Sequence, residues 1–215
     1  MERAERAEAL FSRLYTVATP AGALRIFARL MAWRAAGGLC AVAPRAELPD
    51  VLRRHFPQAL DWADELDGPT RAETLPQRAD EVIDVVELLR EFQSAEDPDA
   101  SWVAHVVAEA CLEEDHLWQD LGLETRGQLG ELLETHFASL ARRNTQDMKW
   151  KRFLYKQLCD REQVPCRAPS CAVCTDFAKC FGPEDGRAPI AWMRPEPDAA
   201  APSVSGHDDS DTERM

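Results

Sequence analysis

Cys166, Cys171, Cys174 and Cys180 lie within fifteen residues in a C-x4-C-x2-C-x5-C pattern. A thiolate is a soft donor, and four that converge on one point select zinc, copper(I) or an iron–sulfur cluster. The short gap from Cys171 to Cys174 aims two sulfurs at a common centre, and the wider gaps let Cys166 and Cys180 close round it. Pro169 stiffens the approach to Cys171 and removes one backbone donor. Structural zinc knots usually pair two C-x2-C turns across a longer stretch. Here a single such pair is flanked by lone cysteines. The C-x4-C-x2-C opening matches plant-type ferredoxin spacing, although there the fourth cysteine lies far downstream. An iron–sulfur-type cluster is the reading this spacing favours; zinc and uncoordinated redox thiols stay open.

The surroundings of the remaining candidates are plainer. Cys40 and Cys111 sit among apolar residues, as buried, inert thiols do. Cys159 stands seven residues before Cys166, within reach of the cysteine loop. Glu113 and His116 form one Glu-x-x-His spacing, half of a di-iron carboxylate motif. A second such pair is missing, which argues against a di-iron oxidase, and His105, His116 and His136 read as packing or capping residues. No nucleophile triad order, Walker loop or glycine-rich dinucleotide turn occurs, so the chain does not read as an enzyme.

Charge singles out the helix that leads into the cysteines. Between Arg142 and Arg161 seven basic residues face two acidic ones, in a chain whose net charge is −13. With a helix expected over Gln146–Asp160, about 3.6 residues per turn place Lys149, Arg152, Lys156 and Cys159 on one side. Trp150, Phe153, Leu154 and Leu158 fall on another, buried side. The basic stripe is either an ordinary solvated face or a site for an anion or an acidic partner. The overall negative charge argues against a nucleic-acid surface. No run of about 18 apolar residues could span a membrane. The N-terminus lacks a secretory core, so the chain reads as cytoplasmic with reduced thiols.

The elements that must position these groups are helical, and no alternating strand pattern appears. Two helices separated near Pro20 open the chain, the second running from Ala21 to Arg34 and stopped by Gly37-Gly38. Short helices follow over residues 47–55 and 58–66. A stronger one spans Pro76–Phe92, with Val82, Val85, Val86 and Leu89 at helical spacing. Ser101 is the expected N-cap of the next, which carries Trp102, Val103, Val106 and Val107, and Thr125 of the one after it. The expected architecture is all-α: a helical domain over 1–165, a cysteine-rich cluster-binding loop over 166–182 and a disordered tail over 183–215. That tail holds eight acidic and three basic residues and too little apolar surface to fold.

Three stretches together carry a more specific likeness. They are Cys111-Leu-Glu-Glu-Asp-His-Leu-Trp-Gln-Asp-Leu-Gly-Leu123, Met148-Lys-Trp-Lys-Arg-Phe-Leu-Tyr-Lys-Gln-Leu-Cys159, and the cysteine loop closing on Cys180-Phe-Gly. Over roughly residues 100–182 the chain resembles the NifQ family of nitrogen-fixation proteins. That resemblance implies a molybdenum-containing iron–sulfur cluster held by Cys166, Cys171, Cys174 and Cys180. It also implies a carrier that donates molybdenum for the nitrogenase iron–molybdenum cofactor. The implied partners are the cofactor-assembly scaffold (NifEN) with its associated proteins, and molybdate or another molybdenum donor. The competing class is an iron–sulfur electron-transfer or zinc-stabilised interaction module.

Overall fold

In the computed structural model the described residues are 2–18, 24–164, 174–175, 177–182 and 184, and the statements below concern these. They form helices and turns without a strand. Residues 19–23, including Pro20, fall outside the description, as do Cys166, Cys171 and almost all of the acidic tail.

Helices α1 (Arg3–Thr16) and α2 (Leu24–Ala36) pack on each other along their length. Helix α2 ends because Gly38 takes a left-handed φ of 76°, and the Leu39 N–H then bonds back to the Arg34 carbonyl at 3.1 Å. Short elements follow: a 3-10 turn at Arg45–Glu47, α3 (Leu48–His55), a 3-10 turn at Pro57–Trp62, α4 (Ala63–Leu66) and α5 (Arg71–Thr74). The stretch expected as one helix over 58–66 is therefore a tighter turn running into a single helical turn. Helix α6 (Ala79–Glu91) follows another 3-10 turn at Pro76–Arg78 and buries Val82, Val85, Val86 and Leu89, the stripe its sequence shows.

Helix α7 (Ala100–Cys111) is apolar nearly all round and lies at the centre of the core, packed against α6. Trp102 meets Phe27 edge-on with ring centroids 4.7 Å apart. The helix starts at Ala100, two residues earlier than an N-cap at Ser101 would place it. Asp99 occupies the cap position but makes no capping bond, because its carboxylate turns sideways to accept from His55 Nε2, Arg54 and the Trp102 Nε1–H. Burial works against that carboxylate, yet these hydrogen bonds hold it well below the usual carboxylate range. Then come α8 (Leu117–Asp120), α9 (Arg126–His136), α10 (Ala138–Ala141), α11 (Trp150–Arg161) and α12 (Phe177–Cys180). Thr125 caps α9 as its sequence implies, its hydroxyl accepting from the Gln128 N–H at 3.2 Å.

The basic helix, the cysteine segment and the cleft between them

Helix α11 sets the geometry of the candidate metal centre. Trp150, Phe153 and Leu154 are buried, as the amphipathic pattern predicts, while Leu158, expected on the same side, is only half-buried against the core. Two polar groups on the same helix also face inward. Tyr155 Oη donates to Glu81 on α6, while Lys151 Nζ reaches Asp120 and, at 2.8 Å, the Glu113 carbonyl. Lys151 is thus committed to structure.

The stripe itself is rearranged. The helix begins at Trp150 rather than Gln146, so Lys149 is its cap and not a residue of its surface. Lys149 instead ties the cysteine segment to the helix: its N–H donates to the Cys180 carbonyl at 2.9 Å and its Nζ to the Ala178 carbonyl at 3.0 Å. Lys156 pairs with Asp160 one turn on. Arg152 is exposed and makes no ion pair among the described residues. Cys159 is also exposed, on the Arg152–Lys156 side of the helix.

Helix α12 carries Cys180 and is anchored from below. Phe177 and Phe181 are buried and stacked with centroids 4.7 Å apart, and Cys174 and Cys180 pack half-buried against the same core edge. Two of the four motif cysteines are therefore placed: Cys180, whose carbonyl is held by the Lys149 N–H at the start of α11, and Cys174, whose carbonyl accepts from the Phe177 N–H at 3.4 Å. The other two, Cys166 and Cys171, lie outside the described residues. Among the described residues no three His, Cys, Asp or Glu side chains converge as a metal site. Half-buried thiols on a segment that Lys149 fastens to α11 suit a thiolate-bound cluster, whose negative charge nearby cations would offset. Cys40 and Cys111 do not compete for this role. Both are buried, and burial pushes the Cys111 thiol up to about 12, where it stays protonated.

Beside the cysteine segment lies a cleft of about 430 Å³, lined by His116, Lys149, Arg152, Tyr155, Lys179 and Glu184 among others. Glu184 is the residue that sequence reasoning missed. It was counted with the acidic tail, yet its side chain is only 4% exposed and sits between His116 and Arg126. Composition gave no signal for it, because both partners are distant in sequence. The three histidines separate in the structure. His105 bonds the Ser101 carbonyl, His136 pairs with Asp97 at 2.6 Å, and His116 alone faces the cleft.

Fold and site together define an all-helical protein that presents a cysteine-bearing segment against the start of a basic helix. The NifQ family profile matches residues 26–182, and the chain belongs to that family. A protein named NifQ from Azotobacter vinelandii is 41% identical over 143 residues, covering 63% of this chain and 73% of that protein. A NifQ homolog from Sinorhizobium fredii is 37% identical over 143 residues, covering 66% of this chain and 60% of its own length. NifQ of Rhodobacter capsulatus is 36% identical over 135 residues, 62% of this chain and 72% of its own. No solved structure matches. Among the described residues no helix is long and apolar enough to cross a membrane.

Proposed function

We propose that this protein is a cytoplasmic molybdenum carrier of the nitrogen-fixation machinery. It holds a molybdenum-containing iron–sulfur cluster on Cys166, Cys171, Cys174 and Cys180. It passes molybdenum to the scaffold, NifEN, on which the iron–molybdenum cofactor of nitrogenase is assembled, and it catalyses no reaction of its own. The observation that carries this reading is the extent of the family match, which runs through residue 182 and so includes the whole cysteine motif. The structure supports it with Cys174 and Cys180 half-buried at the core edge, and with Cys180 next to Lys179 and bound through its carbonyl by Lys149, two cations that line an open cleft. Thiolates supply the soft donors, the phenylalanine pair fixes one end of the segment, and Lys149 holds it to α11. Cargo can then change hands at the surface without disturbing the core.

Metal content decides between this class and its rivals. Protein purified without oxygen from cells supplied with molybdate is expected to contain iron, acid-labile sulfide and molybdenum. Iron and sulfide without molybdenum would make it an electron-transfer module, and zinc alone would make the cysteines a structural knot.

The rearranged stripe yields a second expectation. Of the two stripe cations on the surface of α11, Arg152 makes no ion pair among the described residues, whereas Lys156 is already neutralised by Asp160. Arg152→Glu should slow molybdate loading roughly two- to fivefold at low ionic strength, with the gap closing as salt rises. Lys156→Glu should do less. Equal loading rates for both variants and wild type across a salt series would show the stripe to be an ordinary solvated face.

A further inference from the structure

We propose that His116 and Glu184 supply nitrogen and oxygen donors to the molybdenum end of the cargo, which occupies the cleft beside the cysteine segment. This deepens the carrier reading and rests on it. The starting observation is a carboxylate in an unfavourable place. The Glu184 side chain is 4% exposed, and its Oε2 makes no hydrogen bond. Its nearest cation, Arg126 Nε, stands 3.5 Å away and makes no hydrogen bond either. A buried charged group with an unmade hydrogen bond costs more than a neutral one, and such groups call for a partner.

Geometry names the partner. Glu184 Oε1 lies 3.9 Å from His116 Nδ1, across the floor of the cleft. Two donors each about 2.1 Å from one metal centre stand about 3.0–3.4 Å apart at right or tetrahedral angles, so a side-chain shift of about half an ångström would let this pair share an ion. The chemistry of the pair is complementary to that of the motif. Thiolates are soft and suit iron in a sulfide cluster, while oxidised molybdenum is hard and takes oxygen and nitrogen donors, as hard ions generally do. Reach is satisfied as well. Glu184 follows Cys180 by four residues, and an extended chain spans at most about 3.5 Å per residue, so their backbones lie within about 14 Å of each other. Lys149, which lines the cleft, fastens the Cys180 carbonyl. The cleft, about 430 Å³ in volume, has room for a tetrahedral oxyanion or one face of a cluster. Lys149, Lys151, Arg152 and Lys179 line it and favour an anion, while Glu114 and Asp115 on the same lining oppose one, so the charge is positive on the side of α11.

The plain alternative is that Glu184 is only a strap fastening the end of the cysteine segment to Arg126. The test separates the two. Full-length wild type, His116→Gln, Glu184→Gln and the double variant are reconstituted without oxygen with ferrous iron, sulfide and molybdate, then desalted. Iron and molybdenum per chain are measured, together with the molybdenum K-edge absorption spectrum. Removing partners one layer out from a metal already costs about 10–100-fold in affinity. Loss of both direct donors should therefore lower retained molybdenum at least about tenfold while iron and sulfide stay at wild-type levels. The nitrogen and oxygen scatterers should also weaken in each single variant. Unchanged molybdenum with unchanged light-atom scattering in the variants would overturn the proposal and leave the carrier reading standing. Parallel loss of iron and molybdenum would make Glu184 a strap and would overturn it too. Wild type that takes up iron but no molybdenum would remove the carrier reading itself and this proposal with it.

Discussion

Cys174→Ala is expected to abolish the brown colour of the loaded protein and to lower bound iron about tenfold or more, while leaving helical circular dichroism nearly intact. A cluster ligand differs in kind from a packing residue, because a missing thiolate opens a coordination position that no neighbour fills. Cys174 packs at the edge of the core, and α12 after it is a single turn. The centre of the core, around Trp102 and Phe27, is built from α2 and α7, far along the chain. Anything bound only to the native state adds stability. That contribution stays small if the cysteine segment rests on the domain rather than building it. Cys171→Ala should behave in the same way. Cys111→Ser is the control, since Cys111 is buried at the end of α7 in the core, where burial also raises its thiol, and its iron content should remain at the wild-type level. Collapse of helicity together with loss of iron from Cys174→Ala would make the centre structural, and the carrier reading would fall with it.

What could be read from the sequence depended on whether a feature was local. The inner face of α6 and that of α11 were legible, because a 3.6-residue period needs no knowledge of the partner. Thr125 was legible as a cap for the same reason. The start of α11 was not. Residues 146–149 are acceptable helix formers, but Asn144 takes them out of the helix: its side chain accepts from the Met148 N–H and donates to the Met148 carbonyl, both at 2.8 Å. Asp147 between them adopts a φ of 53°. That side-chain-bridged turn frees Lys149 to bind the cysteine segment, which is why the predicted stripe lost its first member. Asp99 defeated the cap rule in another way, since three partners from elsewhere in the fold compete for its oxygens. Glu184 shows the limit most clearly. An acidic residue in a run of proline, alanine and aspartate looks solvated, and only the folded positions of His116 and Arg126 draw it in.

The buried pair between α2 and α7 is where the domain should prove most sensitive. Arg34 and Glu109 have side chains 6% and 3% exposed, and Arg34 Nη2 donates to Glu109 Oε2 at 2.7 Å. Arg34 Nε also donates to the Cys40 carbonyl at 2.8 Å, so the same side chain secures the turn that ends α2. Glu109→Ala leaves the guanidinium buried without its counter-charge, which typically costs about 3–5 kcal/mol. For a domain of this size that lowers the melting temperature on the order of 10 °C. Removing both charges is a different experiment. Arg34→Met combined with Glu109→Leu fills similar volume with apolar atoms, and such replacements are often neutral or better, so the double variant should recover most of the loss. The recovery will be incomplete to the extent that the Cys40 carbonyl misses its donor. A thermal melt of Arg34→Met, of Glu109→Leu and of the double variant measures the coupling directly. A drop of only a degree or two for Glu109→Ala would mean that water reaches the pair and that α7 is not enclosed as described. Iron per folded chain, measured well below the melting point, should not change in any of the three, because the cysteine segment docks on α11 and not on α2.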